Sequence, residues 1–151
     1  IKRMSGKVIF TEKGFVTELS QTYGCKIDIS DCPDLGPIVA LLGSLSKGTT
    51  TIQNVSRLRI KESDRVKTTV ETLNKLGAHL KSTENEIIIY GKKSLAGGVE
   101  LDSYNDHRIA MMISIAALKC SKPVLLNRAT AVNKSYPNFF EDYKLIGGKY
   151  E

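Results

Sequence analysis

Little in this sequence could hold a metal or a disulfide framework. Its three cysteines, Cys25, Cys32 and Cys120, show no CxxC spacing, and there are only two histidines. A zinc site needs more ligands, closely spaced, so neither a metal nor a metal cofactor is expected. The cysteines read as reduced thiols in a reducing compartment. Aromatic residues are scarce, at 7%, and they do not interleave with the cations as a base-stacking platform requires. That argues against nucleic acid as a partner. No apolar run reaches the roughly 20 residues that span a bilayer, and no signal-peptide pattern is read at the start. The expectation is a cytoplasmic protein with no membrane contact.

What is present suits one folded unit. The chain has 151 residues, 41% of them hydrophobic, enough for a real core. Its net charge is +6, which suits phosphorylated or carboxylated ligands. It begins at Ile1 rather than Met, and its first residues read as the middle of something. This start suits either a fragment of a longer protein or a chain from which a tag was removed.

Hydrophobic period and turn residues divide the chain. Strands are predicted over 7–10, 26–30, 49–53, 79–82, 86–90, 99–101 and 123–127, with 79–90 a hairpin. Residues 11–23 read as irregular. Helices are predicted over 35–46, 64–76, 106–119 and 136–146. The helices at 35–46 and 106–119 are apolar on every side, as in Ile38-Val-Ala-Leu-Leu42 and Ile109-Ala-Met-Met-Ile113. Such helices must be buried all round, which puts helices inside and strands outside. A weak repeat of 73 residues maps Leu45 to Leu118, Asn54 to Asn127, Asp34 to His107 and Lys61 to Lys134.

The densest charge lies in Arg57-Leu-Arg-Ile-Lys-Glu-Ser-Asp-Arg65. Ser63 or Asp64 can cap the helix that follows. The helix's positive end and its neighbouring cations together suit an anion. A solvated charged linker is the plain alternative. Arg108 opens an apolar helix and needs an anion for its fork. Asp34 and Asp106 stand at helix starts, where a cap is the ordinary role. His107 reads as a hydrogen-bonded core histidine, and Lys134 by itself as a surface lysine. Glu62 lies between cations, which lower a carboxylate's pKa, whereas burial raises it.

These residues carry a resemblance. Arg57–Arg65 resembles a signature of 5-enolpyruvylshikimate-3-phosphate synthase, the 3-phosphoshikimate 1-carboxyvinyltransferase family. Cys32-Pro-Asp-Leu35, Asn105-Asp-His-Arg-Ile-Ala-Met111 and Lys134-Ser-Tyr-Pro-Asn-Phe-Phe140 resemble that family in order and spacing. The resemblance implies an inside-out α/β domain of βαβαββ units, and only the carboxyl-terminal part of a two-domain enzyme. It implies transfer of an enolpyruvyl group from phosphoenolpyruvate to the 5-hydroxyl of shikimate 3-phosphate, with no cofactor. By motif, Asp34 resembles the base at the hydroxyl, and Glu62 the acid/base at the methylene carbon. Lys61 resembles a contact to shikimate 3-phosphate, and Arg65, Arg108 and Lys134 a clamp on phosphoenolpyruvate. Some members carry asparagine at the place of Arg57, which stays unassigned. Two rivals stand beside this reading. One is the related UDP-N-acetylglucosamine enolpyruvyl transferase, and the other a basic nucleic-acid-binding module.

Overall fold

The computed structural model describes residues 1–151. A short 3-10 turn, Lys2–Met4, leads into a hairpin of β1 (Val8–Thr11) and β2 (Gly14–Thr17). Strand β2 lies inside the stretch expected to be irregular. Its four residues are all exposed, so no in-out alternation marks it. The pairing of Phe10 with Phe15 across the turn fixes it instead.

Two parallel strand–helix–strand crossovers follow. In the first, β3 (Lys26–Asp28) runs into α1 (Gly36–Ser44) and returns as β4 (Thr49–Gln53), with Asp28 opposite Gln53. After a 3-10 turn, Ser56–Ile60, come α2 (Arg65–Lys75) and the hairpin of β5 (His79–Ser82) and β6 (Glu86–Tyr90). The resulting sheet has the order β3-β4-β6-β5. The second crossover joins β7 (Glu100–Asp102), α3 (His107–Ala117) and β8 (Leu125–Asn127), with Asp102 opposite Asn127. A 3-10 turn, Ala129–Lys134, and α4 (Phe139–Leu145) complete the chain. The first unit is βαβαββ. The second supplies βαβα.

Burial explains the layers. Strand β4 turns Thr50 and Ile52 inward, and β6 turns Ile87 and Ile89. Helix α1 closes on that sheet because Gly43 has no side chain: a Cβ there would meet Thr50 at 3.0 Å and Ile89 at 3.2 Å. Helix α2 is amphipathic and ends at Gly77, whose φ of +95° suits glycine. A core of 19 buried residues joins α1, α2 and α3 to the sheets. A smaller cluster of Ala110, Ala131, Val132, Phe139 and Tyr143 seats α4 and its preceding turn on α3. A Val or Phe side chain such as Val132 or Phe139 contributes about 1.5–3 kcal/mol when fully buried.

Burial all round is not what α1 and α3 have. Their inner faces are buried, but Ile38 is 39% exposed and Leu118 38%. A groove of about 590 Å³ runs between them, lined by Ile27, Ile38, Leu42, Leu45, Ile115 and Leu118. The sheets of this chain cover one side of the helix pair and leave the other open.

The repeat is real, with a corrected register. The isolated bridges Tyr23 to Lys47 and Leu95 to Cys120 keep the helix ends 73 residues apart, Lys47 answering Cys120. The strand pairs answer each other at 74, since Asp28 with Gln53 corresponds to Asp102 with Asn127. The counterpart of Asn54 is therefore Arg128, not Asn127. Both have positive φ, 63° and 54°, and both donate to the aspartate at the end of the neighbouring strand. In this register Lys61 and Lys134 fall one position apart.

Candidate active site

The charged residues gather at the carboxyl ends of the parallel strands, where strand-to-helix turns of α/β folds place ligand sites. Strand β3 leads to Asp34, which precedes α1, and β4 leads to the turn bearing Lys61 and Glu62 ahead of α2. Strand β7 leads to Asp106 and Arg108 at the start of α3, and β8 to the turn ending at Lys134. Both apolar helices thus point their amino termini at one end, and their dipoles make it favourable to anions.

Arg65 is the hub. It is the first residue of α2, in line with Thr69 and Leu73 at spacings of four and eight, so it lies on the buried stripe. Its side chain is 1% exposed. Its Nε donates to Asp106 Oδ2 at 2.8 Å and its Nη2 to Asp106 Oδ1 at 3.1 Å. Nη1 donates to Asp34 Oδ1 at 2.9 Å, and Nη2 also donates to Glu62. Asp106 is wholly buried. It further accepts from Ser63 Oγ at 2.9 Å and from the Arg108 backbone N–H at 2.9 Å, which caps α3. Burial works against its charge, but Arg65 and these donors outweigh it and hold its pKa below the ordinary carboxylate value. The same partnership raises Arg65 against its own desolvation.

Asp34 and Glu62 lie on the open side, with side chains 46% and 40% exposed. Lys61 Nζ is 3.2 Å from Asp34 Oδ1, and Arg108 Nη2 is 3.6 Å from Asp34 Oδ2. Partial burial opposes ionisation of Asp34, yet Lys61, then Arg65 and Arg108, lower its pKa. Lys134 Nζ donates to the Asn105 carbonyl at 2.6 Å, one residue from Asp106. Tyr104 and Asn105 both have positive φ, 54° and 56°, a strained entry to α3.

All six residues singled out in the sequence, Asp34, Lys61, Glu62, Arg65, Arg108 and Lys134, therefore meet at one end. The cations there are paired: Arg65 alone meets three carboxylates, and Lys134 rests on a carbonyl. Two expectations change. His107 is buried, but its Nδ1 has no hydrogen-bond partner and lies 3.7 Å from Glu62 Oε1. Asp106 is no mere cap. The signal for it was Arg65 itself, an arginine on a buried helical stripe that needs a buried acid. The rest of the charged run contacts the fold itself. Asp64 caps α2 by accepting from Lys67 N–H, and Arg59 pins the β5–β6 turn through the Thr83 and Glu84 carbonyls. Arg57 Nη1 donates to the Ser30 carbonyl at 3.3 Å.

No group of three or more His, Cys, Asp or Glu side chains is placed to hold a metal ion. The three cysteines are unpaired. No helix is long and apolar enough to cross a membrane.

Comparison with known proteins bears on this geometry. The family described as EPSP synthase (3-phosphoshikimate 1-carboxyvinyltransferase) matches residues 1–143. A 3-phosphoshikimate 1-carboxyvinyltransferase of Clostridium novyi is 49% identical over 148 residues, 98% of this chain and 34% of that protein. One from Clostridium acetobutylicum is 50% identical over the same share. The chain thus spans about a third of the length of the curated relatives it matches. Among solved structures, an EPSP synthase from Acinetobacter baumannii aligns with a TM-score of 0.84 and 27% identity, over 97% of this chain and 37% of that one. The enolpyruvyl transferase NikO from Streptomyces tendae aligns at 0.79 with 20% identity, over 98% of this chain and 34% of that one, and shares the fold. The α/β fold is that of the enolpyruvyl transferases, and the chain belongs to the EPSP synthase (3-phosphoshikimate 1-carboxyvinyltransferase) family.

Proposed function

We propose that this chain is the carboxyl-terminal part of an enzyme that moves the enolpyruvyl group of phosphoenolpyruvate to the 5-hydroxyl of shikimate 3-phosphate and releases phosphate. The observation that carries the reading is the convergence of Asp34, Glu62 and Asp106 on buried Arg65, beside Lys61, Arg108 and Lys134. Phosphoenolpyruvate brings a carboxylate and a phosphate. Two arginine forks and a lysine match them, and the helix termini add to the attraction.

The roles are those the family resemblance implies, and the positions are consistent with them. Asp34 is held ionised, the form a base needs, and receives the hydroxyl proton as the oxygen adds to the enol carbon. Glu62, entering in its acid form, protonates the methylene carbon in the same stage, giving a tetrahedral adduct. In the second stage a proton returns from the new methyl group to Glu62, the double bond re-forms, and phosphate departs with the proton that Asp34 had taken. Arg65, Arg108 and Lys134 take up the negative charge of the phosphate and carboxylate. Lys61 faces shikimate 3-phosphate. The remainder of the polypeptide, the other domain included, supplies the rest of the site, in a cytoplasmic setting. A UDP-sugar acceptor fits less well, because the relatives at 49% and 50% identity are named for shikimate. A nucleic-acid role fits poorly, because Lys61, Arg65 and Arg108 are already tied to carboxylates.

The test is a coupled phosphate-release assay with both substrates. The full polypeptide turns over, and a UDP-sugar neither replaces nor competes with shikimate 3-phosphate. The 151-residue chain is folded and inactive, since closing a two-part site needs both parts. Turnover by this chain alone at an ordinary enzymatic rate refutes the partial-site reading. Oligonucleotide binding that falls steeply with salt and ignores phosphoenolpyruvate refutes the enzymatic one.

A further inference from the structure

The geometry points to Asp106 as a positioning residue: it grips one edge of Arg65 permanently, so that the edge covered by Asp34 and Glu62 is the one an incoming substrate anion takes over. The inference rests on the proposed function for its activity measurement and for the choice of phosphoenolpyruvate as the added anion.

A guanidinium has five N–H donors in a fixed plane. Asp106 takes the Nε–H and one Nη2–H in a two-pronged contact. Glu62 takes the other Nη2–H, and Asp34 takes one of the two on Nη1. The two sides differ in what leaving would mean. Asp106 is wholly buried, and its other partners are the Ser63 hydroxyl and a backbone N–H. Parting from Arg65 would strand a buried charge, which is strongly unfavourable. Asp34 is half exposed and keeps Lys61 and Arg108 as partners when it lets go. Glu62 is 40% exposed and has His107 Nδ1 at 3.7 Å.

With its side chain 1% exposed, Arg65 is reached by a ligand only where those two carboxylates stand. They are exchangeable covers, and they are also the two groups assigned to proton transfer. An anion that docks on Arg65 therefore frees both from their arginine at the moment they are needed. Asp106 makes the exchange productive, because it fixes the plane in which the vacated N–H groups point. Ser63 supports that grip from the loop before α2.

Nitrogen-15 NMR on the arginine-labelled full polypeptide separates anchor from cover. The Arg65 signal is identified by its loss in Arg65→Lys. Its Nε–H is slow to exchange with water, stays so in Glu62→Gln and Asp34→Asn, and stays so when phosphoenolpyruvate is added. In Asp106→Asn it exchanges at least about tenfold faster, as expected when a buried charge-assisted bond is lost. In steady-state assays Asp106→Asn raises the KM for phosphoenolpyruvate roughly 10–100-fold, the loss typical when the partner that orients a ligand-holding side chain is removed. The KM for shikimate 3-phosphate stays within about threefold. Ser63→Ala, which keeps both charges, shifts the phosphoenolpyruvate KM the same way by about 2–10-fold, one hydrogen bond's worth. Ser63→Ala decides if Asp106→Asn does not fold.

The inference is overturned if the Nε–H is lost in Glu62→Gln or on adding phosphoenolpyruvate. It is also overturned if the variants lower only Vmax and stability, with both KM values kept. A wild-type polypeptide without enolpyruvyl transfer would refute the proposed function instead, and the exchange rates would still read the anchor.

Discussion

The two repeats use one plan and fill it with opposite duties. In the first, the residue ahead of the apolar helix is Asp34, half exposed and shared among three cations. In the second it is Asp106, wholly buried and committed to Arg65. The first repeat's turn before its amphipathic helix carries Lys61 and Glu62, and Arg65 opens that helix. The second repeat's turn carries only Lys134. The first repeat thus offers exposed groups able to exchange protons, and the second offers fixed points. Pseudo-symmetry brings the same turns to the same end, while the side chains decide which turn carries exposed carboxylates and which a buried one.

The largest expected effect breaks that division directly. In the full polypeptide, Asp34→Asn and Glu62→Gln keep shape and remove proton transfer. We predict a fall in kcat of about 10²–10⁴-fold, with a KM for phosphoenolpyruvate that is not raised, since the anion then displaces a weaker cover from Arg65. Arg108→Ala and Lys134→Ala, from the second repeat, are predicted to raise the KM for phosphoenolpyruvate instead. Unchanged kcat in both carboxylate variants would remove the chemical half of the comparison.

Stability divides the repeats in the other direction. Asp106→Ala leaves a buried guanidinium short of its main partner and should cost about 3–5 kcal/mol in urea unfolding of this chain. Asp34→Ala removes a half-exposed group and should cost at most about 1 kcal/mol. Equal losses would mean that Arg65 does not distinguish its two sides.

Acid should sharpen the same contrast. Both aspartates have pKa values below the ordinary one, Asp106 through Arg65 and its hydrogen bonds, Asp34 chiefly through Lys61. A depressed carboxylate contributes stability that is present above its unfolded pKa of roughly 3.9 and is lost as pH falls through its folded value. Stability should therefore be level above about pH 5 and decline below roughly pH 4. Asp106→Asn should flatten that decline more than Asp34→Asn. A decline that begins near neutrality would assign it to other groups.

How much of this was legible in the sequence follows from what each signal depends on. Helices α1 and α3 declared themselves through runs such as Ile109–Ile113, and the β5–β6 hairpin through alternation about a polar turn. Strand β2 did not, because an exposed strand has no buried face to enforce a period. The six candidate residues were singled out by family resemblance, and the structure brings them to one end. The position of Asp106 was not legible, because capping and anchoring need the same residue at the same place. Only the burial of Arg65, in line with Thr69 and Leu73 on one face of the helix, tells them apart. The openness of α1 and α3 on one side was also hidden, since apolarity states what must be covered and not which segment covers it.

The smallest expected effect comes from making the repeats alike where they differ only in chemistry. Asn54 and Arg128 occupy equivalent positions after β4 and β8, each with positive φ. Asn54 donates to Asp28 Oδ2 at 2.9 Å, and Arg128 Nε donates to Asp102 Oδ1 at 2.9 Å. Asparagine tolerates the left-handed region better than arginine, because its short polar side chain bonds locally. The Arg128 ion pair is half exposed, and such pairs are worth about 0–1 kcal/mol. Arg128→Asn therefore trades a screened ion pair for a relaxed backbone and a single amide hydrogen bond to the same aspartate. We predict a change within about 0.5 kcal/mol of zero, read by urea unfolding, and a smaller dependence of stability on salt. The reverse exchange, Asn54→Arg, should be worse. It strains the backbone and also breaks the bond that Asn85 Nδ2 donates to Asn54 Oδ1 at 3.0 Å, which has no counterpart in the second repeat. If Arg128→Asn instead costs more than about 1 kcal/mol, the ion pair and not the backbone sets this corner, and the equivalence of the two positions is one of place alone.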